Sequence, residues 1–162
     1  MNLDSAKDML DEYVLSTRNE KYVVNGTEVM ELIYHLGLDK FASLYAAFKY
    51  LCRYSAHSGE KTGNIKDLLK AAHYVMIEMQ EIESNFPTTF TMDKQYPPEV
   101  ICPNGTPIWI DKNLKGTLDL AVRHFLIFVK NPKNIGPLQQ AKDSIIEEIA
   151  NHISTQGAPV CQ

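Results

Sequence analysis

Two stretches of helical period, one on each side of a Gly/Ser-rich break, constrain this chain more than anything else in it. In the first, Phe41, Leu44, Tyr45, Phe48, Leu51 and Cys52 recur at i, i+3, i+4, i+7, i+10 and i+11, the spacing that gathers apolar groups along one side of an α-helix. In the second, Ile65, Leu68, Leu69, Ala72, Val75, Met76 and Met79 form another stripe that runs to about Glu83. The break between them contains Gly59 and Gly63 and ends in a candidate cap, Thr62 or Asn64. Two apolar stripes joined by so short a segment bury each other best side by side, so the pair reads as an antiparallel helical hairpin.

The rest of the chain fits the same class. Leu3, Ala6, Leu10, Tyr13, Val14 and Thr17 predict an amphipathic helix over 3–17, with acids at its front as the helix dipole prefers. Lys21–Val24 is short and β-branched, Asn25-Gly26 turns the chain, and Asn25 with Glu28 is expected to cap a helix over 26–36 that stops at Gly37. Asp39 is expected to cap the next one. Residues 85–98 are rich in Thr and Pro. Beyond them, Glu99–Cys102 and Ile108–Ile110 flank Pro103-Asn104-Gly105-Thr106, which predicts a small edge β-hairpin over 97–111. Two further helices, 114–130 and 137–154, predict a second helical hairpin. The expected fold is mostly α, antiparallel helical hairpins or a bundle with one small β-hairpin, as a single domain over 1–162. Ala47–Leu51 faintly echoes Ala121–Phe125, an echo that two helical hairpins share by chance spacing.

Composition narrows the function classes. With 162 residues the chain can bury a core without disulfides or metal. A net charge of −4 argues against long nucleic acids, whose binding requires a broad basic field, but allows a small anion held by a local cluster. Cys52, Cys102 and Cys161 are too dispersed for a disulfide framework or a metal site, and Cys52 falls on the apolar stripe. No apolar run approaches the ~20 residues of a membrane span, and the first residues lack a signal pattern. The expected location is the cytoplasm, that of the host if the chain is phage-encoded.

The chemistry lies on the polar faces of the hairpin. Lys49, Tyr50 and Arg53 share one face of the first helix, and Asp67, Lys70 and Tyr74 share one face of the second, with Lys61 in the loop between. Ammonium and guanidinium groups satisfy phosphate oxygens and tyrosine faces stack on bases, which is the chemistry of a nucleotide site. In this reading Lys49 and Arg53 hold phosphates and Lys61 swings over them. Removing the charge of Lys49 or Arg53 is then expected to weaken binding sharply while leaving thermal unfolding nearly unchanged.

These residues also carry a resemblance. Lys49-Tyr50-x-x-Arg53, a loop with Lys61, then Asp67-Leu68-x-Lys70-Ala71-x-x-Tyr74 resembles a small phage domain of unknown function, which also forms the C-terminal part of a phage deoxynucleoside monophosphate kinase lacking a P-loop. The resemblance covers about residues 28–84 and implies a nucleotide-binding helical hairpin. In that family an Asn stands three residues before the Lys, where this chain has Ala46, a departure that bears on turnover more than on phosphate binding.

Other chemistries have weaker support. Gly59-Glu60-Lys61-Thr62-Gly63 lacks the spacing of a phosphate-cradling Walker loop. Glu28-x-x-Glu31 has the local spacing of an all-α nucleotide pyrophosphatase, but Asn64-x-x-Asp67 supplies one carboxylate where two are needed. The five histidines have no ligand spacing, and Cys52, Ser55 and His57 lack an orienting acid. The expectation is therefore a protein that sequesters a small, cyclic nucleotide immune signal without turnover and without cofactor or metal. It is expected to be a homo-oligomer, because one hairpin offers too few walls for a ligand. The alternatives are a P-loop-less deoxynucleoside monophosphate kinase and a helical interaction protein with no small ligand.

Overall fold

A computed structural model describes residues 3–17, 23–24, 27–55, 63–92, 101, 103–105 and 117–156. Among these, the elements in chain order are α1 (Leu3–Thr17), a two-stranded antiparallel ribbon of β1 (Val23–Val24) and β2 (Thr27–Glu28), α2 (Val29–His35), a 3₁₀ turn (Leu38–Lys40), α3 (Ala42–Ser55), α4 (Ile65–Asn85), α5 (Thr117–Lys130) and α6 (Gly136–Gln156). The fold is mostly α. In the ribbon Val23 lies opposite Glu28 and Val24 opposite Thr27. Within the β-hairpin expected over 97–111, only Ile101 and Pro103–Gly105 are described, the latter as a turn; the remainder, with Tyr96, Cys102 and Trp109, lies outside the described residues.

Two helical hairpins make the body. α3 pairs with α4 and α5 with α6, and the hairpins meet where α4 packs on α6. Each consists of a 14-residue helix followed by a 21-residue helix, and their burial runs in parallel. Leu44, Ala47, Phe48 and Leu51 are buried in α3 as Leu118, Ala121, Val122 and Phe125 are in α5; Leu68, Ala71 and Val75 of α4 correspond to Leu138, Ala141 and Ile145 of α6. All belong to one apolar cluster, which also takes in Leu32 and Ile33 of α2 and the Cys52 side chain.

Several helix ends differ from the sequence reading for local reasons. The second helix starts at Val29 rather than about residue 26, because Thr27 and Glu28 first pair back on β1; Glu28 makes no side-chain cap bond. Its stop at Gly37 holds, with φ of 72° there, a conformation that costs other residues a steric clash. Asp39 does not cap α3. It lies inside the 3₁₀ turn, and α3 begins at Ala42 after an extended Phe41. The cap comes from another helix: Glu78 of α4 is buried and accepts hydrogen bonds from the backbone N–H groups of Ser43 and Leu44 and from the Ser43 hydroxyl, which satisfies donors a helix start otherwise leaves unmade. Burial pushes the Glu78 carboxyl above its usual value, and those bonds offset part of the rise.

Asn64 caps α4 by accepting from the Lys66 N–H at 2.9 Å, and Gly63 N–H donates to the Tyr54 carbonyl at 2.9 Å across the mouth of the hairpin. At the other end of α4, residues 86–92 run back as a strap against the start of α6. Thr89 N–H donates to the Lys133 carbonyl at 2.8 Å and its carbonyl accepts from Ile135 at 3.0 Å. The Asn134 side chain accepts from Thr91 N–H at 2.9 Å and Gly136 N–H at 3.0 Å, and donates to the Thr91 carbonyl at 3.1 Å. Gly136 is where the strap presses closest: a Cβ there would run into the Thr91 carbonyl. Helix propensity alone favours Ala over Gly by about 1 kcal/mol, whereas displacing packed backbone costs about 1–3 kcal/mol. Gly136→Ala is therefore expected to lower stability in urea unfolding, and a raised midpoint would show that the strap yields freely.

Candidate functional site

The polar faces of α3 and α4 meet along the seam of the first hairpin. On α3, positions 49, 50 and 53 lie within one helical turn; on α4, positions 67, 70 and 74 follow one another down the opposing face. The antiparallel run sets Arg53, near the end of α3, beside Asp67, near the start of α4. Tyr50 then comes level with Lys70 and Tyr74. Of the seven residues singled out from sequence, six are brought together in this way; Lys61 lies outside the described residues.

Tyr50 is the centre of the group. Its ring stacks on that of Tyr74, centroids 5.8 Å apart and planes 12° from parallel. Around the same ring stand Lys49 Nζ at 5.4 Å, Lys70 Nζ at 5.0 Å and the Arg53 guanidinium carbon at 4.9 Å from the centroid. Cations over a tyrosine face gain about 0.5–1 kcal/mol each when partly exposed, so the ring gathers positive charge in a chain whose net charge is −4. Both tyrosines and Lys49 are half-buried and Lys70 is exposed. The phenols thus form a partly covered platform, and the two ammonium groups stand at its border.

Arg53 and Asp67 sit differently from the sequence reading, which displayed both on the surface. The Asp67 side chain is 2% exposed and that of Arg53 14%. Arg53 Nε donates to Asp67 Oδ2 at 2.8 Å and its terminal Nη2 donates to Oδ1, a two-pronged pair. The carboxylate enters the hairpin core because α4 turns its buried face by part of a turn from the expected stripe. Leu69 and Met76, expected inside, are exposed, and Asp67, Ala71 and Glu78 are inside instead. Asp67 therefore anchors Arg53, and Arg53 in turn presents its guanidinium plane to Tyr50. Its removal strikes the hairpin itself, which corrects the expectation that unfolding would be indifferent to Arg53.

Beside Arg53, polar contacts tie the loop end of the first hairpin to α6 and, next to it, α6 to α5. The Tyr54 hydroxyl lies 3.0 Å from His152 Nδ1, and Thr117 Oγ1 donates to Glu148 Oε2 at 2.7 Å. Burial, followed by the Glu148 charge, raises the Tyr54 phenol above its ordinary value. Residues so distant in the chain give no sequence signal of their contact. Among the described residues no three His, Cys, Asp or Glu gather as metal ligands would, and no helix is long and apolar enough to cross a membrane.

Comparison of the chain with protein-family models, with curated proteins and with solved structures finds no match.

Proposed function

We propose that the α3–α4 seam binds a small nucleotide, its phosphates held by Lys49 and Lys70 and its base lying against the Tyr50–Tyr74 platform. One observation carries this reading: a stacked tyrosine pair bordered by two ammonium groups that come from different helices. A ligand with both a ring and a negative charge matches that arrangement better than a bare anion, which has no use for the rings, or a neutral ring, which has none for the lysines. Arg53 organises the platform through Asp67 and Tyr50.

The activity we propose is sequestration of a cyclic nucleotide signal, of the kind a phage protein uses against host immunity. The seam contains groups for ground-state binding, and its one carboxylate is engaged by Arg53. Phosphoryl transfer requires a donor and acceptor held in line and charge stabilised at the moving phosphorus. The resemblance to the P-loop-less kinase favours transfer as the second reading, and one experiment separates them. A cyclic di- or trinucleotide incubated with excess protein is expected to be protected and then recovered intact on denaturation, while ATP with dGMP or dTMP yields no diphosphate. Steady diphosphate formation that vanishes in Lys49→Ala establishes the kinase reading instead.

A further inference from the structure

The rings of the seam form a row whose two ends differ. At the inner end stands Tyr50 of α3, and its ring is already crowded. Tyr74 stacks on it with centroids 5.8 Å apart, and Lys49, Arg53 and Lys70 stand over it, each within 5.4 Å of its centroid. Of these three cations Arg53 is neutralised by Asp67. Among the described residues neither Lys49 nor Lys70 has a carboxylate partner, in a chain whose net charge is −4. Uncompensated positive charge is therefore concentrated at the Tyr50 end.

Beyond Tyr74 the row continues to a third ring, one that the core does not use. His73 is exposed, and its imidazole centroid lies 6.2 Å from that of Tyr74 with the planes inclined by 31°. Consecutive positions on a helix point about 100° apart, so their side chains do not face each other by helical geometry alone. Here the two rings approach and carry the row round the shoulder of α4. Among the described residues no cation stands over the Tyr74 ring. The outer end of the row thus consists of ring faces, and the inner end of charge.

A nucleotide has the same two-ended character, with anionic phosphates at one end and a flat base at the other. Phosphates gain most beside unpaired ammonium groups, and a base gains most on rings that cations do not already cover. On the reading of the seam as a nucleotide site, we propose that His73 is a further ligand-contacting residue and that it fixes the ligand's direction. The phosphates lie at the Tyr50 end with Lys49 and Lys70, and the base lies at the Tyr74–His73 end against the imidazole ring. An anion that carries no base occupies only the Tyr50 end, so His73 is what distinguishes a nucleotide from a bare phosphate.

Calorimetric titration of the full chain with two probes, cyclic di-GMP and inorganic pyrophosphate, tests this. The wild type is expected to bind both, and Lys49→Ala should weaken both. His73→Ala should weaken the dinucleotide by about 5–150-fold, the range for losing one aromatic partner of a base, and leave pyrophosphate binding unchanged. His73→Phe, which keeps a ring at the same exposed position, should recover most of the lost dinucleotide affinity. If Lys49→Ala weakens both probes while His73→Ala weakens neither, or weakens both equally, the role of His73 is overturned and the seam stands as the site. A Phe variant as weak as the Ala variant likewise overturns the ring contact. A wild type that binds neither probe, or a Lys49→Ala variant that binds both as tightly as wild type, overturns the seam itself and the direction of the ligand with it.

Discussion

Replacing Arg53 with Ala is expected to cost about 3–5 kcal/mol of stability, the range for removing one partner from a buried ion pair. The cause is the carboxylate left behind. Asp67 is 2% exposed and loses the two-pronged donor that satisfies both of its oxygens, so the folded state must bury an uncompensated charge or admit water between α3 and α4. Asp67→Ala should do comparable damage by stranding the guanidinium. The double variant Arg53→Met, Asp67→Leu is the informative control, because apolar groups of similar volume replace a buried pair with little net change or even a gain. Urea unfolding of the three variants checks this. If either single variant unfolds within 1 kcal/mol of wild type, on the scale of surface pairs, the pair is a surface ornament and the description of Asp67 as an anchor is wrong.

The lysines are expected to behave in the opposite way. Lys49 and Lys70 border the tyrosine platform without being buried, so Lys49→Ala and Lys70→Ala should leave unfolding nearly unchanged. On the proposed binding each removes a charge-assisted bond to phosphate worth about 1.5–3 kcal/mol, which is a loss of about 10–150-fold in affinity. Calorimetric titration with a cyclic dinucleotide reads this directly, and affinity should also fall with added salt, as it does for exposed charges. A double variant that binds as tightly as wild type removes the seam as the site. The two pairs of substitutions therefore separate the groups that build the platform from those proposed to hold a ligand.

Much of this was legible in the sequence, and the boundary has a physical cause. Helical periodicity located α3 and α4, Gly37 marked a helix end, and Asn64 marked a start, because each rests on interactions within a turn or two of chain. The approach of Lys49, Tyr50 and Arg53 to Lys70 and Tyr74 also followed from two amphipathic faces joined by a short loop. What escaped depends on partners remote in sequence. Glu78 caps a helix to which it does not belong, and Tyr54 meets a histidine on α6. Asp67 looked like a surface charge because polarity alone cannot show a residue that Arg53 will neutralise. Leu69 and Met76 looked like core because an apolar side chain on a helix reads the same in sequence whether it ends up buried or exposed.

The likeness of the two hairpins in length and burial makes their difference in chemistry instructive. By the register that matches their cores, the places of Lys49, Tyr50, Lys70 and Tyr74 are taken in the second hairpin by Arg123, His124, Gln140 and Ser144, and that of Asp67 by Pro137. His124 is buried, with Nδ1 2.8 Å from the Leu120 carbonyl of its own helix, and Ser144 offers no ring where Tyr74 stacks on Tyr50. Two hairpins alike in length and burial therefore carry the tyrosine–lysine seam on one of them. On the proposed function the expected occupancy is therefore one nucleotide per chain, with the second hairpin packed behind the first through α4 and α6.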